Sequence, residues 1–181
     1  GPPTHHPGPV GQGRPRERFW RIFAGRLILA AGAIERPLAF PNNDRPGIML
    51  ASAVREYTHR FGLTLGSHIV FYTNNDSAWR TALELAARGL GVAAIVDLRE
   101  TVDIELPERP ADAGIACHLG TAVVDTRGRK GVRRLRLRRL DGGGATTALP
   151  CDLLAMSGGW TPTVHLFSQA GGRLSYREAD A

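Results

Sequence analysis

His68-Ile-Val-Phe-Tyr-Thr-Asn-Asn-Asp-Ser-Ala-Trp-Arg-Thr-Ala-Leu-Glu-Leu-Ala-Ala-Arg-Gly-Leu-Gly-Val-Ala-Ala-Ile-Val-Asp97 is the stretch whose reading decides the fold. Its first six residues are almost continuously apolar and β-prone, as in a strand buried on both faces. Asp76–Arg88 then spaces Ala82, Leu85 and Ala86 on one helical face, and Gly89 and Gly91 close it. Val92–Asp97 is a second buried strand. Strand, helix and strand joined by tight turns predict a βαβ unit in a parallel sheet.

A unit of this size invites comparison with the dinucleotide-binding fingerprint. That motif would place glycine at 73, 75 and 78, where this chain has Thr73, Asn75 and Ala78. Alanine is tolerated at the third place. Threonine disfavours the tight first turn, and Asn75 puts a side chain where the backbone must approach a pyrophosphate. Asp97 ends the second strand, where a ribose-binding acid would stand. The architecture reads as Rossmann-like with its phosphate cradle missing. The turn Thr73–Ala78 either serves another polar ligand or neighbouring domain, or is a structural turn with Asn75 or Asp76 as helix N-cap.

Outward from this unit, Gly114–Leu119 reads as a third strand. Thr121–Asp125 and Val132–Leu140 read as an antiparallel meander turning at Gly128–Gly131, and Asp152–Gly159 as a last buried strand. Upstream, Gly47–Phe61 is predicted helical, with Ile48, Ala51, Val54 and Thr58 on one face and Gly62 ending it. Pro37, Pro41 and Pro46 predict an extended linker before it. Phe19–Phe23 reads as a short strand, and Arg26–Ala33 as one buried on both faces. Residues 1–18, rich in Pro, Gly, His and Arg, predict a flexible tail. The expected fold class is α/β: a Rossmann-like three-layer domain with a parallel sheet plus an antiparallel β-meander.

Of 181 residues, 43% are hydrophobic, enough for a core, and no apolar run approaches the ~20 residues of a membrane helix. The chain begins Gly-Pro-Pro-Thr-His-His without methionine or an apolar leader, which predicts a piece of a longer polypeptide with no signal peptide. The net charge of +6 raises nucleic acid as a partner. Yet no aromatic residues interleave with the arginines of Arg127–Arg139, where a stacking surface would need them. A strand with one solvated basic face, or a subunit contact, is the expected reading, and no nucleic acid or membrane partner is expected. Cys117 and Cys151 form no C-x-x-C pair. They predict two small buried hydrophobes, no metal site and, being reduced, a cytoplasmic location.

Two further stretches carry a resemblance. Leu29-Ala-Ala-Gly-Ala-Ile-Glu-Arg-Pro37 resembles the A-T-G-A-x-x-R-x-P segment of pyridine nucleotide–disulfide oxidoreductase-like flavoproteins. Asp152-Leu-Leu-Ala-Met-Ser-Gly-Gly-Trp-Thr-Pro162 resembles the strand by which those chains return to their first domain. Gly32–Pro37, Asn42–Leu50, Thr73–Ala78 and Ser157–Gln169 together resemble the α subunits of heterotetrameric sarcosine oxidases, from about residue 16 onward. Related opine- and amine-oxidising α subunits share the pattern. The resemblance implies an inserted second nucleotide-binding-type domain at 47–156. Residues 19–46 would be strand and linker from a first dinucleotide-binding domain that this chain lacks. Residues 157–181 would return toward it.

It also implies oxidative demethylation of sarcosine to glycine by the whole complex, with tetrahydrofolate and oxygen. NAD would be held mainly by the missing domain. FAD and FMN are expected in the complex, with β, γ and δ subunits as partners. This chain by itself would bind none of the cofactors tightly and carry no catalytic residue. The residues that would meet a cofactor are Ala30, Ala31, Gly32, Glu35, Arg36, Gly158, Gly159 and Trp160. Small residues at 30–32 and 158–159 equally suit close packing of two domains. Glu35 and Arg36 equally suit a solvated linker, and Trp160 an interface anchor. The competing reading is a basic protein-interaction domain.

Overall fold

In the computed structural model, residues 19–106 and 109–176 are described. Cα proximity divides the chain into two units, Gly1–Ala30 and Ala31–Ala181. The second contains, in chain order, β1 (Ala33–Glu35), β2 (Ile48–Leu50), α1 (Ala51–Phe61), β3 (Ile69–Thr73), α2 (Asp76–Ala87) and β4 (Val92–Asp97). There follow β5 (Ala116–His118), β6 (Thr121–Arg127), β7 (Arg134–Arg139), β8 (Thr147–Pro150), β9 (Leu153–Ser157), β10 (Trp160–Pro162) and α3 (His165–Gln169).

The central sheet has the order β2-β9-β3-β4-β5 and is parallel throughout. Its middle strands β3 and β9 are buried at every position. Their apolar runs therefore lack alternation, as a strand covered on both faces requires. One face meets α1 and α2 through Val54, Ile69, Phe71, Trp79, Leu85 and Ile95. The other meets the antiparallel sheet β6-β7-β8 through Val70, Tyr72, Val96, Leu135, Leu137 and Leu154. The result is three layers: helices, parallel sheet, antiparallel sheet. In β7, Leu135 and Leu137 point inward and Arg134, Arg136 and Arg138 outward, so the basic run is one solvated strand face.

Several local expectations need correction. Residues 19–30 contain no strand and are exposed, Phe19 and Ile28 to 90% or more. A strand buried on both faces needs a hydrogen-bonded neighbour along each edge, and residues 19–30 have none among themselves. Ile48–Leu50 is not helical. It adds β2 beside β9, because its backbone pairs in parallel register with Leu154–Met156 and helix begins only at Ala51. The proline linker is not extended either. Asn42 adopts a left-handed φ of 60°, and its carbonyl accepts from Arg45 N at 3.4 Å, bending the chain into a turn. The Asn42 side chain fixes that turn to Asp125 at 2.9 Å. Cys151 is buried, but Cys117 is exposed because it lies on the edge strand β5.

β8, β10 and α3 have no counterpart in the sequence reading. The segment 157–176 does not simply leave the sheet. β10 pairs antiparallel with β1, with Ala33 opposite Pro162 and Glu35 opposite Trp160.

Candidate functional site

The turn between β3 and α2 is where a Rossmann domain holds phosphate. Here its own side chains occupy it. Thr73 Oγ accepts from Asn75 N at 3.1 Å, so that amide is already used. Asn75 is the N-cap residue, with φ −146°, but its side chain caps nothing. Its amide nitrogen instead donates to the backbone oxygen and Oγ of Ser157 at 3.2 and 3.0 Å, and its Oδ1 accepts from Ser77 Oγ at 2.6 Å. The turn is thus pinned to the end of β9. The expectation of a side-chain N-cap is corrected: Asn75 reaches across the sheet rather than along the helix.

Charge opposes a pyrophosphate as well. Asp76 places an acid in the first turn of α2, paired with Arg99 at 2.7 Å. Asp97 is fully buried and saturated. It accepts from Trp79 Nε1 at 2.7 Å, Arg99 N at 2.8 Å and Arg99 Nη2 at 2.9 Å. The Asp97 hydrogen bond holds the Arg99 pKa above its usual value, against the lowering effect of burial. Arg99 Nε adds a fourth bond, to Oδ1 at 3.2 Å, so no lone pair of Asp97 is left for a ribose without losing one of these bonds. These residues do not fit a dinucleotide at this turn.

The predicted cofactor residues gather differently. Ala30 falls in the first unit, Ala31 and Gly32 in the second. Gly32 has φ 70° and open space where a Cβ would stand, and its carbonyl accepts from Thr163 N at 2.9 Å. Gly158 and Gly159 exchange backbone bonds with Arg36 at 2.7 and 2.8 Å. A Cβ on Gly158 would stand 3.0 Å from Pro37 O, so that glycine is explained by two backbones crossing closely.

Glu35 is not a solvated linker charge. It is 5% exposed, because β1 turns it inward. Its Oε2 accepts from Ser52 N at 2.8 Å, at the N-terminus of α1, while Oε1 is buried with no hydrogen-bond partner among the described residues. A buried acceptor left unsatisfied costs about 1–3 kcal/mol. Trp160, 42% exposed, donates from Nε1 to Ser77 Oγ at 2.9 Å. Glu35 and Trp160 both line a cleft of ≈ 660 Å³ between α1 and α2, together with Arg55, Ser77, Arg80 and Glu84. The sequence reading named Glu35 and Trp160 but missed Ser52, Ser77 and the cleft. Both serines are half-buried at the second position of their helices and face the cleft, where apolar periodicity gives no signal. Among the described residues no group of His, Cys, Asp and Glu is placed to hold a metal, and no helix is long and apolar enough to cross a membrane.

Comparison with known proteins adds the following. No family model matches the chain. It is 44% identical over 176 residues to sarcosine oxidase subunit alpha of Corynebacterium sp. (strain P-1), covering 94% of this chain and 18% of that protein. It is 41% identical over 160 residues to the subunit of the same name from Rhizobium meliloti, covering 88% of this chain and 15% of that protein. Among solved structures it resembles T. acidophilum thioredoxin reductase, with TM-score 0.65 and 13% identity over 81% of this chain and 48% of the other. It also resembles a FAD-dependent pyridine nucleotide-disulphide oxidoreductase from Desulfovibrio vulgaris, with TM-score 0.55 and 19% identity over 80% of this chain and 38% of that one. These structural likenesses establish the fold.

Proposed function

We propose that the chain, which is 41–44% identical to sarcosine oxidase alpha subunits and spans 15–18% of their length, is the second nucleotide-binding-type domain of such a subunit and serves there as a scaffold. The division into strand and linker at 19–46, the domain at 47–156 and a return segment at 157–181 belongs to this reading, and the tail expected at 1–18 lies outside the described residues. The supporting observation is the contrast between 41–44% identity to those subunits and a β3–α2 turn filled by Thr73, Asn75 and Asp76. The Rossmann-like frame is kept and its phosphate cradle is not.

In this reading the whole complex oxidises sarcosine to glycine with tetrahydrofolate and oxygen as partners in the reaction. NAD is held mainly by another domain of the same subunit, FAD and FMN lie elsewhere in the complex, and β, γ and δ subunits complete it. A bound flavin supplies the hydride acceptor in such an enzyme. This chain's residues contribute placement. Ala30, Ala31 and Gly32 offer small side chains where a dinucleotide on the neighbouring domain passes. Gly158, Gly159 and Arg36 lock the two connecting segments together, and Glu35 braces α1 through Ser52.

The test is peroxide production from sarcosine. Residues 1–181 alone are expected to give none, and the assembled complex to give it with NAD co-purifying. Turnover by the chain alone would refute the scaffold role.

A further inference from the structure

The outer face of the β6-β7-β8 sheet carries more charge than the fold requires. β7 sends Leu135 and Leu137 to the core and exposes Arg134, Arg136 and Arg138 on the other side. Alternate residues on a strand stand about 6.6 Å apart, so the three arginines form one row about 13 Å long. None of the three has an ion pair among the described residues. Strand register adds to the charge instead of cancelling it. Arg127 of β6 lies opposite Arg134, and like charges so placed repel. Asp125 lies opposite Arg136, but Arg127 engages it at 3.1 Å and Asn42 at 2.9 Å.

The neighbours of the row are small. Ala122 lies opposite Arg138, Ala148 opposite Arg136 and Pro150 opposite Arg134. A partner therefore reaches the guanidinium groups without displacing a bulky side chain. β6, β7 and β8 contain no aromatic residue on which a base could stack, and Asp125 would repel a phosphate. Carboxylates suit the row better, because a guanidinium donates two parallel N–H bonds to one carboxylate. The face also lies apart from the β1–β10 ribbon, which in the reading above leads to the neighbouring domain. That ribbon is tied to the helix layer by Glu35 to Ser52 and by Trp160 to Ser77. The β6-β7-β8 sheet covers the opposite side of the parallel sheet.

We propose that Arg134, Arg136 and Arg138 form a docking face for an acidic surface on a second polypeptide of the complex. The proposal rests on the reading of the chain as part of a subunit. In the free chain the row faces water, and in the complex it meets aspartate and glutamate side chains.

The experiment is arginine footprinting with phenylglyoxal, read by mass spectrometry, on residues 1–181 and on the purified complex containing the full-length subunit. All three arginines are expected to react in residues 1–181, and at least about fivefold more slowly in the complex, where an interface excludes solvent. Arg136→Lys, introduced in the full-length subunit, then supplies an amine for carbodiimide coupling. Arg136 is exposed and its charge is kept, so assembly and turnover are expected to be unchanged. The coupling is expected to join position 136 to an aspartate or glutamate of another polypeptide. Equal reactivity in a complex that assembles and yields peroxide overturns the docking face and leaves the scaffold reading standing. Turnover by residues 1–181 alone overturns the scaffold reading instead. A cross-link from position 136 to a carboxylate of the same subunit overturns the assignment to a second polypeptide. Protection removed by nuclease overturns it in favour of nucleic acid.

Discussion

Asp97 shows how far one residue can be read. Its place at the end of a buried strand was legible, since Val92–Asp97 is a local pattern. Its partners were not. Trp79 reaches it only because α2 lies across β4, and Arg99 only because the chain turns back after Leu98. Replacing Asp97 by Asn leaves Arg99 with Asp76 and partial solvent. We expect a loss of about 2–3 kcal/mol, short of the 3–5 kcal/mol for a fully buried pair. Urea unfolding checks this, and a loss below about 0.5 kcal/mol would show the cluster to be idle. Glu35 was misread for the same reason: a linker charge is usually solvated, and nothing local announces that β10 will press β1 inward. The cysteines give a sharper contrast. Burial pushes the Cys151 thiol up to about 12, helped by the nearby Asp152 carboxylate. Burial also raises Cys117, but that thiol is on an exposed edge. Ellman's reagent at pH 8 is expected to titrate one thiol in the native protein, lost in Cys117→Ser, and both thiols in urea. Two fast native thiols would contradict the placement of Cys151.

At the scale of elements, the βαβ unit was legible because its signals are local: two apolar runs, one amphipathic helix and closing glycines. The β1–β10 pair was not, because strands of three residues joined across more than a hundred positions leave no periodicity to read. Two positions test how the elements are fixed. Gly91 lies where an added Cβ would collide with the Ser67 carbonyl, and its own carbonyl accepts from Ile69 N at 2.8 Å. Gly91→Ala must push β3 and β4 apart at their start, at about 1–3 kcal/mol by the measure of overpacked sites. Thermal unfolding would register it as a lower midpoint, and an unchanged midpoint would contradict the close approach. Asp152 fastens the start of β9 to the start of β3. It accepts from Ser67 N at 3.0 Å, Ser67 Oγ at 2.6 Å and His68 N at 2.8 Å. Burial raises the Asp152 pKa, but these hydrogen bonds outweigh it and hold the group below its ordinary 3.8. A depressed folded value stabilises the fold above the unfolded pKa, and the gain is lost as pH falls through the folded one. Asp152→Asn is therefore expected to cost about 1 kcal/mol at pH 7, allowing for solvent screening, and less as the pH is lowered below 3.8 toward 2. Equal destabilisation at both pH values would assign the effect to packing.

For the whole molecule, composition and strand order foretold an α/β fold with a parallel sheet and a meander. The three layers were foretold with it; what required the structure is that the antiparallel sheet is itself the second cover of the parallel one. That sheet explains the basic run: β7 turns its leucines to the core and its arginines to water. The same frame in the thioredoxin reductase and disulphide oxidoreductase structures shows how one architecture is reused. The central claim is that this frame is held by its own side chains at the point where a dinucleotide would bind. Calorimetric titration of residues 1–181 with NAD tests it most directly. The account predicts no saturable heat up to millimolar NAD, in the wild-type chain and in Asp97→Asn alike; micromolar binding by the wild type, abolished by Asp97→Asn, would contradict it.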